Sequence, residues 1–207
     1  MNSALKLLVL ILAGLLFACS SSEDNSEPPA PLTKIEDALP LIVNWKVETR
    51  ASKNSASYRL RPIQIDGRVY SIDTRGTVVS VDAKYGTSLW SHKTSLSAIV
   101  GLGGDSTRLI VTSRNGDIAT YRHGDKGLEP IWNVRIDSEI RAVPVIDGEQ
   151  VFVRSVDGKL RSFAAADGSQ QWVVSRRVPV LSLTGNSEPL VDGQTVYAGF
   201  DLSLIHI

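Results

Sequence analysis

Cysteine is nearly absent from this 207-residue chain, with Cys19 the only one. An intramolecular disulfide is therefore excluded, as is a zinc site with several sulfur ligands. Histidine is scarce and scattered, at His92, His123 and His206, so no metal-ligand cluster is spelled out. Neither charge is in excess: 22 basic residues balance 22 acidic ones. No strongly basic face is implied, and nucleic acid is not indicated as a partner. Residues 40–200 contain no long stretch with helical periodicity. What remains is ordinary for a globular chain, at 43% hydrophobic and 21% charged residues, with length for one or two domains.

The N-terminus reads MNSALKLLVLILAGLLFAC, one basic residue followed by an apolar run from Leu7 to Phe17. As a helix those residues would span roughly 16 Å, against the ~30 Å of a bilayer core. The segment therefore reads as a secretory signal rather than a membrane span. Its end, Leu16-Phe17-Ala18-Cys19, resembles the lipobox of bacterial lipoproteins, although Phe17 is bulkier than is usual there. The resemblance implies cleavage before Cys19 and lipidation of its thiol. Several acyl chains would anchor the protein stably where one gives only marginal binding. Ser20, in place of an Asp, points by the sorting rules of such lipoproteins to the periplasmic face of the outer membrane. Residues 20–34, SSSEDNSEPPAPLTK, are too polar and Pro-rich to bury a core and read as a flexible tether.

Tryptophan is confined to Trp45, Trp90, Trp132 and Trp172, at spacings of 45, 42 and 40. Turn glycines Gly76, Gly116 and Gly158 recur at spacings of 40 and 42. Each follows a short apolar run: Val69-Tyr70, Leu109-Ile110-Val111 and Val151-Phe152-Val153. Asp66-Gly67, Asp147-Gly148 and Asp192-Gly193 recur upstream, with Asp105-Ser106 in the second copy. A fixed period near 42 marks a repeat architecture.

Each unit reads as four short strands. The first precedes the Asp-Gly turn, as in Arg61 to Ile65. The second is the apolar run, as in Arg68 to Ile72, and is expected to be covered on both faces. The third follows the Asn-Gly or Asp-Gly turn, a strong hairpin signal, as in Lys159 to Phe163. The fourth follows a second Gly turn and ends near the Trp. Four strands in about 42 residues, repeated, is a propeller blade. The fold class is thus all-β, a β-propeller of four-stranded blades. In it the four Trp residues are packing pegs that dock one blade on the next, and Trp45 closes a lone strand.

The runs Val81 to Trp90 and Ala164 to Trp172 (A-x-D-x-x-x-G-x-x-x-W in type) resemble the quinoprotein, or PQQ-like, propeller repeat over residues 40–200. The second copy departs, with Arg122 to Gly127 and a two-residue extension before Trp132. Enzymes of that class hold a quinone with acidic, Asn and Arg residues, often with calcium. Many also carry a vicinal Cys pair. Here the single Cys is placed for lipid, and the Asp residues mostly precede Gly, where turn formation explains them. No catalytic residue, metal or cofactor is assigned.

The lipobox and the repeat together resemble the BamB family of the outer-membrane β-barrel assembly (BAM) complex. The segment Val178 to Ser187, VPVLSLTGNS, is similar to that family's L-S-L-R-G-x-S loop. The resemblance implies a non-catalytic scaffold that binds the periplasmic POTRA domains of BamA and aids folding and insertion of outer-membrane proteins. Other BAM subunits and unfolded outer-membrane proteins are implied partners. Leu181, Leu183 and Thr184 would contact BamA, with Thr184 standing where Arg is usual. The competing readings are a periplasmic quinoprotein dehydrogenase fragment and another lipid-anchored, ligand-binding propeller.

The expected organisation is a signal peptide at 1–18, lipidated Cys19 and tether at 19–39, and a partial propeller at 40–207. That propeller holds about three blades and the start of a fourth, against eight in the family. The repeat phase calls for a turn Gly at 203, where Ser203 stands. The chain is expected to be roughly an N-terminal half, and the tail after Asp201 reads either as non-native sequence or as a divergent strand.

Overall fold

The computed structural model describes residues 29–31, 41–49, 60–179 and 187–200, and the backbone of 204–206. The chain divides into two compact units, Met1–Ile42 and Val43–Ile207. The few described residues of the first have no regular secondary structure. Among the described residues, every strand belongs to the second.

Short β-rich segments separated by tight turns can only fold back on themselves, and they do so four times. Blade 1 comprises β1 (Ile63–Ile65), β2 (Arg68–Ile72), β3 (Thr77–Asp82) and β4 (Ser88–Lys93). Blade 2 comprises β5 (Gly103–Gly104), β6 (Arg108–Thr112), β7 (Asp117–Gly124) and β8 (Gly127–Arg135). Blade 3 comprises β9 (Val145–Asp147), β10 (Gln150–Arg154), β11 (Lys159–Ala164) and β12 (Gln170–Ser175). Blade 4 shows β13 (Leu190–Asp192), β14 (Thr195–Phe200) and β15 (Leu204–His206). Within each, neighbours in sequence pair antiparallel in simple meander order. The described residues contain no helix.

Turn chemistry sets the register. Asp66 and Gly67 both take positive φ, 46° and 74°, the geometry of a two-residue hairpin whose twist matches its strands. Asp147 and Asp192 instead end their strands. There Gly148 and Gly193 take positive φ as the first of two turn residues, so the Asp-Gly signal marks the hairpin without sharing one turn type. The first strand is also shorter than expected, because Arg61 and Pro62 precede it. Pro lacks the N–H a ladder position needs.

The core lies between blades. Tyr70, Ile72, Val78 and Trp90 from one face of blade 1 pack with Leu109, Val111, Ala119 and Tyr121 of blade 2. The opposite face of blade 2 presents Ile110 and Ile118 to Val151, Val153 and Phe163 of blade 3. Phe152 and Leu160 then meet Ala198 of blade 4. Consecutive residues Leu109, Ile110 and Val111 are therefore all buried, because β6 has a neighbouring blade on both sides. Each such side chain contributes about 1.5–3 kcal/mol on burial.

Each connection between blades starts at the same place. The N–H of Thr94, Ile136 and Arg176 bonds the carbonyl of Gly76, Gly116 and Gly158 at 2.9, 3.0 and 2.8 Å. The connections differ in length. Residues 94–102 and 136–144 join the first three blades, whereas 176–189 joins blade 3 to blade 4 and is five residues longer.

Candidate functional site

The tryptophans define the joints. Trp90, Trp132 and Trp172 lie in the fourth strand of their blades opposite a small hydroxyl residue: Ser80 faces Trp90, Thr120 faces Trp132 and Ser162 faces Trp172. A bulge in the ladder adjoins each pair. The Trp132 Nε1–H donates to the Ala165 carbonyl of the next blade at 2.9 Å. Trp45 donates likewise to Ala83 at 3.0 Å, although residues 41–49 form no regular strand around it. The ring of each lies against a glycine three residues beyond its acceptor. A Cβ on Gly168 would sit 2.7 Å from Trp132, and one on Gly86 would sit 2.7 Å from Trp45. The shared residues of the repeated run are therefore Ala, Gly and Trp. Asp82 aligns with Ala164, while Asp82 and Asp167 each accept backbone N–H groups in the turn. Trp90 finds a different acceptor, the Gly124 carbonyl at 2.8 Å, because the two-residue extension lengthens the β7–β8 hairpin. Trp172 lies 5.8 Å from Phe152, centroid to centroid.

Leu181, Leu183 and Thr184, and the lipidation candidate Cys19, lie outside the described residues. Both stems of the 176–189 connection are described, and both are held. The outgoing stem docks on the β10–β11 turn, where Arg176 N–H bonds Gly158 and the Val178 side chain packs against the same glycine. That turn is stiffened by ions. Asp157 accepts from the buried Arg161 guanidinium at 2.9 Å, from Ser155 Oγ at 2.5 Å and pairs with Lys159 at 3.1 Å. Burial alone would raise the Asp157 carboxyl. These donors outweigh it and hold the group well below the usual carboxylate range.

The returning stem is tied in three directions. Ser187 Oγ accepts from Gly199 N–H and donates to Gly199 C=O, both at 3.2 Å. Arg154 Nη1 reaches Ser187 from blade 3. Arg61, just before β1, pairs with Glu188 at 2.6 Å. That last pair is solvent-exposed and contributes about 0–1 kcal/mol.

A second concentration of polar groups lies where blade 1 meets the long β7–β8 hairpin, in a groove of about 450 Å³ that includes His92, His123, Asp125 and Glu129. His123 Nε2 faces the Asp105 carbonyl at 2.9 Å, which can only accept, so Nε2 carries the proton. Nδ1 then accepts from Tyr70 O–H at 3.0 Å. Burial raises the Tyr70 phenol above its ordinary value. Arg68 bonds Asp125 across the same joint and holds that carboxyl low. Both His123 nitrogens are committed to the joint. Among the described residues, no three His, Cys, Asp or Glu side chains converge to hold a metal ion.

Four-stranded antiparallel sheets stacked face to face, with a tryptophan of each docked on the next, define a propeller of the PQQ-like blade class. Residues 43–207 match the family described as outer membrane protein assembly factor BamB, and the chain belongs to that family. It is 30% identical over 184 residues to BamB of Burkholderia pseudomallei, covering 88% of this chain and 47% of that one. It is 29% identical to BamB of Vibrio cholerae, covering 92% and 50%. The fold is similar to that of BamB from Moraxella catarrhalis, with a TM-score of 0.64, 20% identity, and coverage of 77% of this chain and 46% of that one. The chain thus spans about half the length of the relatives it matches.

Proposed function

We propose that the protein is a non-catalytic scaffold lipoprotein of outer-membrane β-barrel assembly. The 176–189 connection is its contact with the POTRA domains of BamA, through Leu181, Leu183 and Thr184. The observation that carries this reading is the connection itself. It is five residues longer than its two counterparts, and both of its stems are pinned to blades. A loop on a rigid base presents side chains at low entropic cost, which favours binding. Family membership supports the assignment of partner. Residues 1–18 serve as the signal peptide, Cys19 carries the lipid, 19–39 form the tether and 40–207 the blades. The anchored protein faces the periplasm from the outer membrane, beside the other BAM subunits, and helps present unfolded barrel precursors to BamA.

The test is co-purification of BamA with the full chain bearing Leu181→Asp and Leu183→Asp. Loss of BamA with an unchanged melting curve supports the reading. Retention of BamA by the folded double variant excludes this loop as the contact.

A further inference from the structure

Arg154 is 3% exposed, which is costly for a guanidinium unless it is compensated. It is the last residue of β10. The last residues of β2 and β6, at the same place in blades 1 and 2, are Ile72 and Thr112, both buried and uncharged. Its Nη1 lies 3.5 Å from both the carbonyl and the hydroxyl oxygen of Ser187. Its guanidinium carbon sits 4.9 Å over the Phe200 ring.

Ser187 is equally out of pattern. It stands three residues before β13, where the corresponding positions before β5 and β9 are Val100 and Ala142. Two apolar-or-neutral pairs, Ile72 with Val100 and Thr112 with Ala142, have their counterpart in an ionic and hydroxyl pair at this joint. The facing position in β14 is adapted too. A Cβ on Gly199 would lie 2.9 Å from Ser187 Oγ, so glycine there admits the serine close to the strand. All three departures fall at the joint followed by the longer connection.

We infer that Arg154 is a positioning residue for the returning stem of the 176–189 connection, clasping it through Ser187. The inference rests on the proposed function of that loop. Arg154 does not touch the partner. It acts by fixing the stem between β10 and β14: one guanidinium nitrogen, Nη1, reaches both oxygens of Ser187 at 3.5 Å, and the guanidinium carbon sits over the Phe200 ring.

The test uses the full chain carrying Arg154→Met, which roughly keeps the buried volume, removes the guanidinium and leaves Ser187 bonded to Gly199. Melting, hydrogen exchange of the 176–189 amides and affinity for purified BamA POTRA domains are measured together. Melting should stay near native, since packing volume is kept. Loop amides should exchange about ten-fold faster, and POTRA binding should weaken about ten-fold, mainly through faster dissociation. Native-like exchange overturns the clasp. Faster exchange with native affinity overturns the positioning role. Should this variant fail to fold, Arg154→Lys, which keeps the charge and loses the planar group over Phe200, is read by the same two criteria. Leu181→Asp runs alongside: if it leaves affinity unchanged, the proposed contact fails, while loop exchange still decides the clasp.

Discussion

Trp132 and Ala165 are joined across two blades by a 2.9 Å hydrogen bond, and the indole that donates it lies flat on Gly168. One side chain thus satisfies a partly buried donor, covers a turn and bridges neighbouring sheets. The same arrangement sets Trp45 on Ala83 and Gly86.

Gly168→Ala should be more damaging than a turn substitution alone. Gly168 has φ of 75° and no room for a Cβ beside Trp132. Gly148 has φ of 54° with nothing within 4 Å. Gly148→Ala should cost about 1 kcal/mol from backbone conformation, and Gly168→Ala a further 1–3 kcal/mol or so from the displaced indole. Urea midpoints of the two variants measure the difference.

Trp132→Phe keeps an aromatic ring in the joint but removes the donor to Ala165. The expected loss is about 1–3 kcal/mol, since the Ala165 carbonyl then lacks its partner. Chemical denaturation followed by circular dichroism reads it. An unchanged midpoint would mean that stacking alone holds the blades.

Asp157 predicts acid sensitivity. Its folded carboxyl is depressed below the unfolded value of about 3.9. In that window the unfolded chain binds more protons, so stability rises with pH. The contribution is complete above about pH 5 and is lost as pH falls through the folded value. Asp157→Asn should flatten the fall in urea midpoint between about pH 5 and pH 3. At neutral pH the variant should lose about 1–3 kcal/mol, because Arg161 is buried while Asp157 itself is partly solvated.

Tyr70→Phe should cost about 1 kcal/mol by removing the donor to His123 Nδ1. Nitrogen chemical shifts of His123 at neutral pH should report a protonated Nε2 and an accepting Nδ1. The opposite tautomer would break the pairing with the Asp105 carbonyl.

Much of the fold was legible because it is local. Arg68 to Ile72 reads as a strand and is one, and Lys159 to Phe163 lies within β11. Both are bounded by turns whose chemistry a few residues dictate. The period of the tryptophans is legible in the sequence but their acceptors are not, and Trp90 departs from the others because one hairpin is longer. Trp45 was expected to end a strand and docks from an irregular segment, since its anchoring is made by side-chain contacts rather than by a ladder. The ion cluster around Asp157 left no sequence signal, because Arg161 in blade 3 takes the place of Val79 in blade 1 and Ala119 in blade 2 without changing the strand.

Period, turn positions and antiparallel order are determined by the sequence alone, since short turns leave adjacent strands no other way to pair. The address of the loop after Trp172 belongs to the same class of information. What holds that loop was decided only by the tertiary structure. Arg154 meets Ser187 across 33 residues and Arg61 meets Glu188 across 127. Such pairs depend on how the faces of separate blades stack, and no local propensity encodes which charged side chain will find itself opposite a stem.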